Sequence, residues 1–343
     1  MYVHKCCSDA TGKEFRKKTH FKYWHCSKCN DLIALPFNHI VDDREFLLEI
    51  YRTFCDRMLK EFKNYDHFIF NPLENKNVLG DVYNPECNSN SEYFTDEELD
   101  DISKNISSVH LNMLNVNIRS TYKNYDSLKD FLHGSKIDFN IIGLSETWLR
   151  EKPLEYFHLD GYKLEFINRK QDSRGGGVCL FVKDEMKYFV RKDLLQIKHP
   201  ENTETLFIEI EREKSKNIIV GIVYRSPDQD VHEFNQFTEN LLSKVSKSEN
   251  KLIYMMGDFN INLLNSDTHT STSDFIDVLN SYSLYPSITR PTRITSKSAT
   301  LIDNIFKNSH SKHIAGIILT DISDHLPTFI STNLSVYQNI NEY

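Results

Sequence analysis

Two short motifs place a carboxylate beside other polar groups at the end of an apolar run. The first is Gly257-Asp258-Phe259-Asn260, and the second, further along the chain, is Ser323-Asp324-His325. Metal-assisted phosphodiester hydrolysis needs such groups in one pocket: oxygen ligands for a hard cation, a histidine, and amide donors for the phosphate. Short patterns recur by chance, so either motif alone is weak evidence for this chemistry.

Three more polar residues stand where apolar runs end or are interrupted. Asn117 follows the run 109–116, Glu146 follows 141–145, and Asp303 interrupts 301–306. Polar residues at strand ends can meet at one rim of a sheet, where a rigid scaffold holds the loops. The sequence therefore predicts that these residues and the two motifs converge on one site.

The pattern of elements predicts an α/β domain with two packed sheets. Helices are expected at about 123–134, 230–247 and 274–281, the last capped by Ser273. No Gly-rich nucleotide loop is present, which disfavours a Rossmann arrangement and a nucleotide cofactor. The candidate strands are 109–118, 139–144, 177–182, 206–211, 218–224, 252–256, 301–306, 314–319 and 328–334.

Composition divides the chain into three parts: 1–40, 41–106 and 107–335. The middle part combines a predicted helix at 42–64 with a stretch from Asn71 to about Lys104 that has the composition of a mobile acidic linker. Residues 41–105 carry seven Lys or Arg against sixteen Asp or Glu, so most of the net charge of -8 lies outside the motifs. No strongly basic face is evident, which argues against tight nonspecific binding to duplex nucleic acid.

The sequence also bears on location. No apolar run approaches the roughly 18 residues of a membrane span, and the first residues lack an apolar signal core. We therefore expect an intracellular protein, in the nucleus or cytoplasm, without a membrane partner. Seven cysteines fit a reducing compartment, with Cys55, Cys87 and Cys179 as ordinary thiols.

The order of the motifs resembles a known family. Over about 107–335 the chain is similar to the endonuclease/exonuclease/phosphatase superfamily, and in detail to the apurinic-type endonuclease of LINE-type (non-LTR) retrotransposons. The segments that carry this resemblance are Asn117-Ile118-Arg119-Ser120, Ser145-Glu146-Thr147-Trp148, Arg174-Gly175-Gly176-Gly177-Val178, Tyr224-Arg225-Ser226-Pro227, Gly257-Asp258-Phe259-Asn260, Pro291-Thr292-Arg293, Leu301-Ile302-Asp303 and Ser323-Asp324-His325.

The resemblance implies a fold and a metal-dependent site. The fold would be a DNase I-like, four-layer α/β sandwich in which helices flank two packed mixed sheets. The metal would be Mg²⁺ or Mn²⁺, held by Glu146 and Asn117 with Asp324 nearby. A hard cation with few protein oxygens keeps waters that a substrate phosphate can displace.

The resemblance also assigns the catalytic residues. Asp258 would orient or deprotonate the attacking water. Asn260 and Tyr224 would donate hydrogen bonds to the phosphate as its charge builds. His325, oriented by Asp303, would either stabilise the same charge or act as the base, and the sequence leaves both assignments open.

Three further points stay open at this level. Arg119 stands where many apurinic endonucleases carry an acidic metal ligand, which counts against a second metal and against repair-type activity. A register slip would put Asn115 in the place of Asn117. The segment Arg174–Gly177 resembles a phosphate cradle, although backbone freedom at a turn is the favoured explanation.

The amino-terminal part has its own metal-ligand pattern. His4, Cys7, Cys26 and Cys29 have zinc-ligand spacing, and the segment resembles the second half of a PHD-type finger. In that family His4/Cys7 and Cys26/Cys29 would belong to different sites, each half empty here. A remnant without Zn²⁺ is therefore favoured over one Zn²⁺ held by all four residues.

The resemblance as a whole predicts a Mg²⁺-dependent DNA endonuclease that nicks one strand, leaves a 3′-hydroxyl and derives from a non-LTR retrotransposon. The reverse transcriptase of such elements is absent from this chain. The alternatives are a phosphomonoesterase or phospholipid-type phosphatase of the same fold, or a catalytically silent relic. Candidate phosphate contacts are Arg119, Lys123, Arg174, Arg225, Arg290 and Arg293.

Overall fold

The computed structural model of the chain describes residues 24–25, 32–33, 91–107, 110–149, 157–169, 175–213, 215–246, 251–295, 298–309 and 311–334. Two compact units are present, Met1–Asp56 and Arg57–Tyr343. In the first unit, strands β1 (Trp24–His25) and β2 (Leu32–Ile33) pair antiparallel. The predicted helix at 42–64 and the proposed zinc ligands lie outside the described residues.

The second unit contains a mixed seven-stranded sheet. Its strands are β3 (Glu92–Phe94), β4 (His110–Asn117), β5 (Ile141–Ser145), β6 (Tyr162–Ile167), β7 (Val178–Lys183), β16 (His313–Ile318) and β17 (Thr328–Asn333). Their spatial order is β3-β16-β17-β4-β5-β7-β6. In this sheet β4 is parallel to β5, and β3 is parallel to β16.

A second mixed sheet has six strands: β8 (Tyr188–Val190), β9 (Thr203–Ile210), β10 (Ile218–Arg225), β11 (Leu252–Asp258), β12 (Tyr285–Pro286) and β15 (Asp303–Lys307). Their spatial order is β12-β15-β11-β10-β9-β8, and β10 and β11 are parallel. A separate two-stranded ribbon pairs β13 (Arg293–Ile294) with β14 (Ala299–Thr300).

The two sheets pack face to face. Strands β10 and β11 of one sheet contact β5 of the other, and Gly143 on β5 lies against the side chains of Ile222 and Met256. Strand β10 is buried along its whole length, as expected for a strand covered on both faces. The predicted pair of packed sheets is thus confirmed.

Helices cover the outer faces of the sheets. The helices are α1 (Asp96–Ser103), α2 (Thr121–Gly134), α3 (Lys192–Leu195), α4 (Val231–Ser246) and α5 (Thr270–Ser281), with a 3-10 turn at Leu263–Asn265. Helix α2 packs Tyr125, Leu128 and Phe131 into one apolar cluster with residues of β4, β5 and β7. On the other side, α4 packs against α5 through Phe234 and Phe275, and α5 packs against the six-stranded sheet through Phe275 and Phe306. None of the helices among the described residues has the length and apolar composition of a membrane-spanning segment.

The interpretation of the acidic stretch as a linker is wrong for residues 91–104. These residues form β3, which joins the seven-stranded sheet, and α1, which has a capping box made by Thr95 and Glu98. Leu99 of α1 is buried in the core cluster. Ser91 exchanges hydrogen bonds with Thr289, which ties this segment to the second half of the domain.

Two boundary predictions also need correction. Helix α5 begins at Thr270, so Ser273 lies inside it and does not cap it. Strand β15 begins at Asp303, so this residue starts the strand and does not interrupt it. Short strands with little apolar alternation, such as β3 and β8, were not predicted from the sequence.

We predict that Gly257→Ala destabilises the domain by on the order of 3 kcal/mol. Gly257 has φ of 150°, and a Cβ there would lie 1.8 Å from the Val223 carbonyl oxygen, which is backbone and cannot move aside. The matched control is Gly134→Ala, where nothing lies within 4 Å and the effect should stay within about 1 kcal/mol. Urea denaturation of both variants measures this, and equal stabilities would contradict it.

Candidate active site

Strand pairing delivers the predicted residues to one edge of each sheet. In the seven-stranded sheet, Asn117 pairs with Ser145, so Glu146 emerges beside Asn117. In the other sheet, Tyr224, Asp258 and Asp303 are register partners on three adjacent strands. Asn117, Tyr224 and Asp258 lie at the carboxyl ends of strands that run parallel to a neighbour. Strand β15 runs antiparallel to β11, so Asp303, at the amino end of β15, lies at the same edge.

Asn117 links the two sheets. Its Nδ2 donates to Asp258 Oδ2 at 2.9 Å and to Glu146 Oε1 at 3.2 Å, while its Oδ1 accepts from the backbone N–H of Arg119. Asn115 bonds instead to Thr328 and reaches neither carboxylate. The structure therefore places Asn117, and not Asn115, at the meeting point.

Glu146 is surrounded by neutral donors. Its carboxylate accepts hydrogen bonds from Asn117 Nδ2, from Trp148 Nε1 at 3.1 Å and from the Tyr224 hydroxyl at 3.2 Å. None of the ion pairs in the described part of the chain includes Glu146. An anion without a cationic partner beside other carboxylates is a favourable position for a bound cation.

Asp258, Asp303 and His325 form a buried cluster. His325 Nδ1 lies 2.9 Å from Asp303 Oδ2, which also accepts a hydrogen bond from Thr292 Oγ1 at 2.7 Å. One ligand atom from each of the three residues lies within 4.8 Å of the other two, so the cluster could also hold a metal ion. The geometry thus offers a carboxylate and an imidazole–carboxylate pair in one buried cluster.

Burial and charge shift the pKa values of this cluster. Burial, and after it the charge of Asp303, raises the pKa of Asp258 to about 7. Burial by itself lowers the pKa of His325, but the charge of Asp303 and the hydrogen bond to it outweigh that effect and raise it to about 9. Near neutral pH the imidazole is therefore protonated, while Asp258 can exchange a proton.

The loop after β11 holds Asn260 beside Asp258. Asn260 Nδ2 donates to Asp258 Oδ2 at 3.1 Å and to the Arg225 carbonyl at 2.7 Å. The Arg225 side chain donates to the carbonyl oxygens of Phe259, Asn260 and Gln229, and only 2% of this residue is exposed. Arg225 thus supports the loop from the interior. The prediction that Arg225 contacts a DNA phosphate is therefore wrong.

Asp324 has a different environment from the other carboxylates. It is partly exposed and forms ion pairs with Arg119 and Arg293. Burial would raise the pKa of Asp324, but the hydrogen bonds from Arg119 and Arg293, together with the charges of His325 and Arg119, outweigh burial and keep this pKa below its usual range. The hydroxyl of the preceding Ser323 donates to the Asn117 carbonyl at 2.6 Å, which ties this loop to the end of β4.

Unusual backbone conformations cluster around these residues. Of seven non-glycine residues with positive φ in the described part of the chain, five belong to the site motifs: Arg119, Ser120, Glu146, Trp148 and Asn260. Such conformations cost free energy and persist where surrounding structure enforces them, often at functional sites. The glycines 175–177 also have positive φ, which supports the turn explanation for this segment; Arg174 lies outside the described residues.

Several supporting residues were not predicted. Trp148 and Thr292 lie inside quoted motifs, so the sequence did contain a signal for them. Arg169 and Glu204 form a buried ion pair at 2.7 Å, and no sequence motif indicated it. The Arg169 guanidinium lies 5.5 Å from the centre of the Tyr224 ring, and Glu204 accepts from the Gly177 N–H at 3.3 Å. This pair packs behind the tyrosine that contacts Glu146.

Comparison with known families agrees with this geometry. The model of the endonuclease/exonuclease/phosphatase family matches residues 105–325. This match spans more than half of the chain and includes every residue of the site. The chain therefore belongs to the endonuclease/exonuclease/phosphatase family, whose members are hydrolases. No curated protein sequence gives a significant match.

Solved structures share the fold at low sequence identity. The endonuclease domain of TRAS1, a telomere-specific non-LTR retrotransposon, has a TM-score of 0.51 at 13% identity, covering 67% of this chain and 99% of that domain. The AP endonuclease LMAP from Leishmania major has a TM-score of 0.53 at 14% identity, covering 65% of this chain and 88% of that one. The APE2 catalytic domain of Xenopus laevis has a TM-score of 0.50 at 16% identity, covering 65% of this chain and 92% of that domain. The predicted four-layer fold is confirmed.

We predict that the metal-free protein loses stability as pH rises from about 6.5 to about 9. The pKa of His325 is raised on folding, so its ion pair with Asp303 stabilises fully below pH 6.5 and is lost as pH rises through about 9. The pKa of Asp258 is also raised on folding, from 3.8 to about 7, so its ionisation likewise lowers the free energy of unfolding as pH rises through that lower range. Thermal unfolding in EDTA across this range provides the measurement.

The variant His325→Gln should flatten the decline between pH 7 and 9, and the control His133→Gln, at an exposed position of α2, should not. An unchanged slope in His325→Gln would contradict the assignment.

Proposed function

We propose that this chain is a Mg²⁺- or Mn²⁺-dependent DNA endonuclease that cuts one strand and leaves a 3′-hydroxyl. The observation that carries the proposal is the position of Asp258. Its carboxylate lies between the Asn117–Glu146 pair on one side and the Asp303–His325 pair on the other. Phosphodiester hydrolysis needs a proton acceptor, a cation and a donor for developing charge around one phosphorus atom.

The donor set around Glu146 suits a hard divalent cation. Glu146 and Asn117 would hold the ion, since the Glu146 carboxylate has only neutral donors in the described residues. When bound, the ion would polarise a phosphoryl oxygen and offset the added negative charge of the transition state.

Asp258 would act on the attacking water. It would accept one proton as the water oxygen forms a bond to phosphorus and the bond from phosphorus to O3′ breaks. The leaving O3′ takes up a proton from solvent and becomes the 3′-hydroxyl, while the phosphorus stays on the other fragment as a 5′-phosphate. The raised pKa of Asp258 makes this carboxylate a suitable base near neutral pH. Asn260 holds the carboxylate through its side chain and also through its backbone N–H, at 3.0 Å.

His325 and Tyr224 would stabilise the charge that develops on the phosphate. A protonated His325 held by Asp303 is a charged donor, so the charge-stabilising role is favoured over the base. Burial, with the charge of Glu146 after it, raises the pKa of Tyr224, which keeps its hydroxyl protonated as a donor. Both donors are positioned before substrate arrives, as electrostatic catalysis requires.

DNA is the proposed substrate because the motifs resemble the LINE-type branch of the family. In such an element the 3′-hydroxyl would prime reverse transcription. Arg119, Lys123 and Arg293 are candidates for contacts to the strand, and such contacts position DNA without reading its sequence.

We predict that the full chain relaxes supercoiled plasmid with Mg²⁺ and does not do so with excess EDTA. Asp258→Ala and His325→Ala should each slow nicking by about 100-fold or more, because they remove the proton acceptor and the charged donor. Asp160→Ala and His133→Ala, at exposed positions away from the site, are the matched controls and should retain the rate.

The nicked product should prime a DNA polymerase without end treatment, since its end carries a free 3′-hydroxyl. A folded, Mg²⁺-loaded protein that fails to nick would exclude the proposal. Hydrolysis of p-nitrophenyl phosphate or of a phospholipid headgroup by that same protein would then favour the phosphatase alternative.

A further inference from the structure

The carboxylates of the site differ in the charges that surround them. Glu146 accepts hydrogen bonds from an amide, an indole and a phenol, all neutral. Asp324 Oδ2 instead accepts three hydrogen bonds from guanidinium groups. One comes from Arg119 Nη1, and the others come from Arg293 Nε at 3.2 Å and Arg293 Nη2 at 2.9 Å. Among the described residues Glu146 therefore has no ion-pair partner, whereas Asp324 has two.

This difference opposes the prediction that Asp324 helps to bind the metal. A divalent ion at Asp324 would lie within a few ångströms of two guanidinium groups, and repulsion between like charges at that distance is strong near a protein surface. Guanidinium groups remain protonated at all relevant pH values, so they cannot relieve that repulsion by losing a proton. The ion is instead expected at the carboxylates that have no arginine.

The Arg119–Asp324–Arg293 group carries a net charge of +1 and is open to solvent. The three side chains are 46%, 39% and 37% exposed, in that order. Arg119 follows the end of β4 and Arg293 begins β13, so the two guanidinium groups approach Asp324 from different elements. Without the carboxylate between them, these two cations would repel each other.

We propose that Arg119 and Arg293, held together by Asp324, form a binding site for one phosphodiester group of the nucleic acid, and that Asp324 is not a metal ligand. The site lies next to the catalytic cluster, because Arg119 is two residues from Asn117 and Asp324 precedes His325. Asp324 occupies one N–H group of Arg119 and two of Arg293, so each guanidinium keeps N–H donors that can bond the oxygens of one phosphate. This inference rests on the proposed function and names the group that positions its substrate.

The metal arm of the test compares Asp324→Ala with Glu146→Ala by titration calorimetry with Mn²⁺ on the full chain. Glu146→Ala should weaken Mn²⁺ binding by about 10-fold or more, whereas Asp324→Ala should leave the affinity within about twofold. Equal losses in the two variants would overturn the inference and leave the proposed function standing. Unchanged affinity in Glu146→Ala would instead contradict the metal site of the proposed function.

The nucleic-acid arm measures binding of a fluorescent DNA duplex in EDTA over a range of salt concentrations. The double variant Arg119→Ala/Arg293→Ala should lower the slope of log affinity against log salt by about one, because both guanidiniums contact the same phosphate. A drop of about two would show two separate phosphates and would overturn the shared site. Lys136→Ala, an exposed cation beyond the far end of α2, is the control.

Asp324→Ala provides a second readout in the same assay. It should lower DNA affinity about threefold or more even though it removes a negative charge, because the two guanidinium groups are no longer held together. Higher affinity would mean that Asp324 only repels DNA, which would overturn its positioning role. Thermal unfolding of each variant confirms that the protein used is folded.

Discussion

The site depends on one amide that joins two sheets. Asn117 ends a strand of the seven-stranded sheet, and its Nδ2 reaches Glu146 of its own sheet and Asp258 of the other. Two carboxylates near one another repel, and burial adds to the cost of their charge. Neutral donors reduce this cost without removing the charge. The remaining negative potential is what makes this edge of the sandwich suitable for a divalent cation.

Charge is distributed around that point in three distinct environments. Glu146 has neutral donors, Asp303 has the buried His325, and Asp324 has two arginines at the surface. In the proposed function, Glu146 would receive a cation, the Asp303–His325 pair would donate to the reacting phosphate, and the Arg119–Asp324–Arg293 group would bind a second phosphate of the strand. Positive φ at Glu146 and Asn260 indicates that the chain accepts backbone strain to hold these groups in place.

Part of this arrangement could be predicted from the sequence. Long apolar strands such as β10 were located closely, and the polar residues that follow them marked the site. The segment 91–104 was misjudged because its acidic composition outweighed a local signal, the Thr95-Asp96-Glu97-Glu98 capping box before Leu99. The prediction for Arg225 is wrong for another reason. A guanidinium group is expected to contact solvent or a phosphate, and only the packing of the folded chain shows that this guanidinium is buried against carbonyl oxygens.

The sequence by itself determined the family, the order of the strands along the chain and the residue types of the site, because hydrophobic periodicity and short motifs are local properties. Only the tertiary structure decided which charges lie next to each other. Arg119 and Arg293 are far apart in the chain, as are Arg169 and Glu204, yet each pair shares one environment. Electrostatic interactions depend on distance and burial in the folded state, so no spacing in the sequence specifies them.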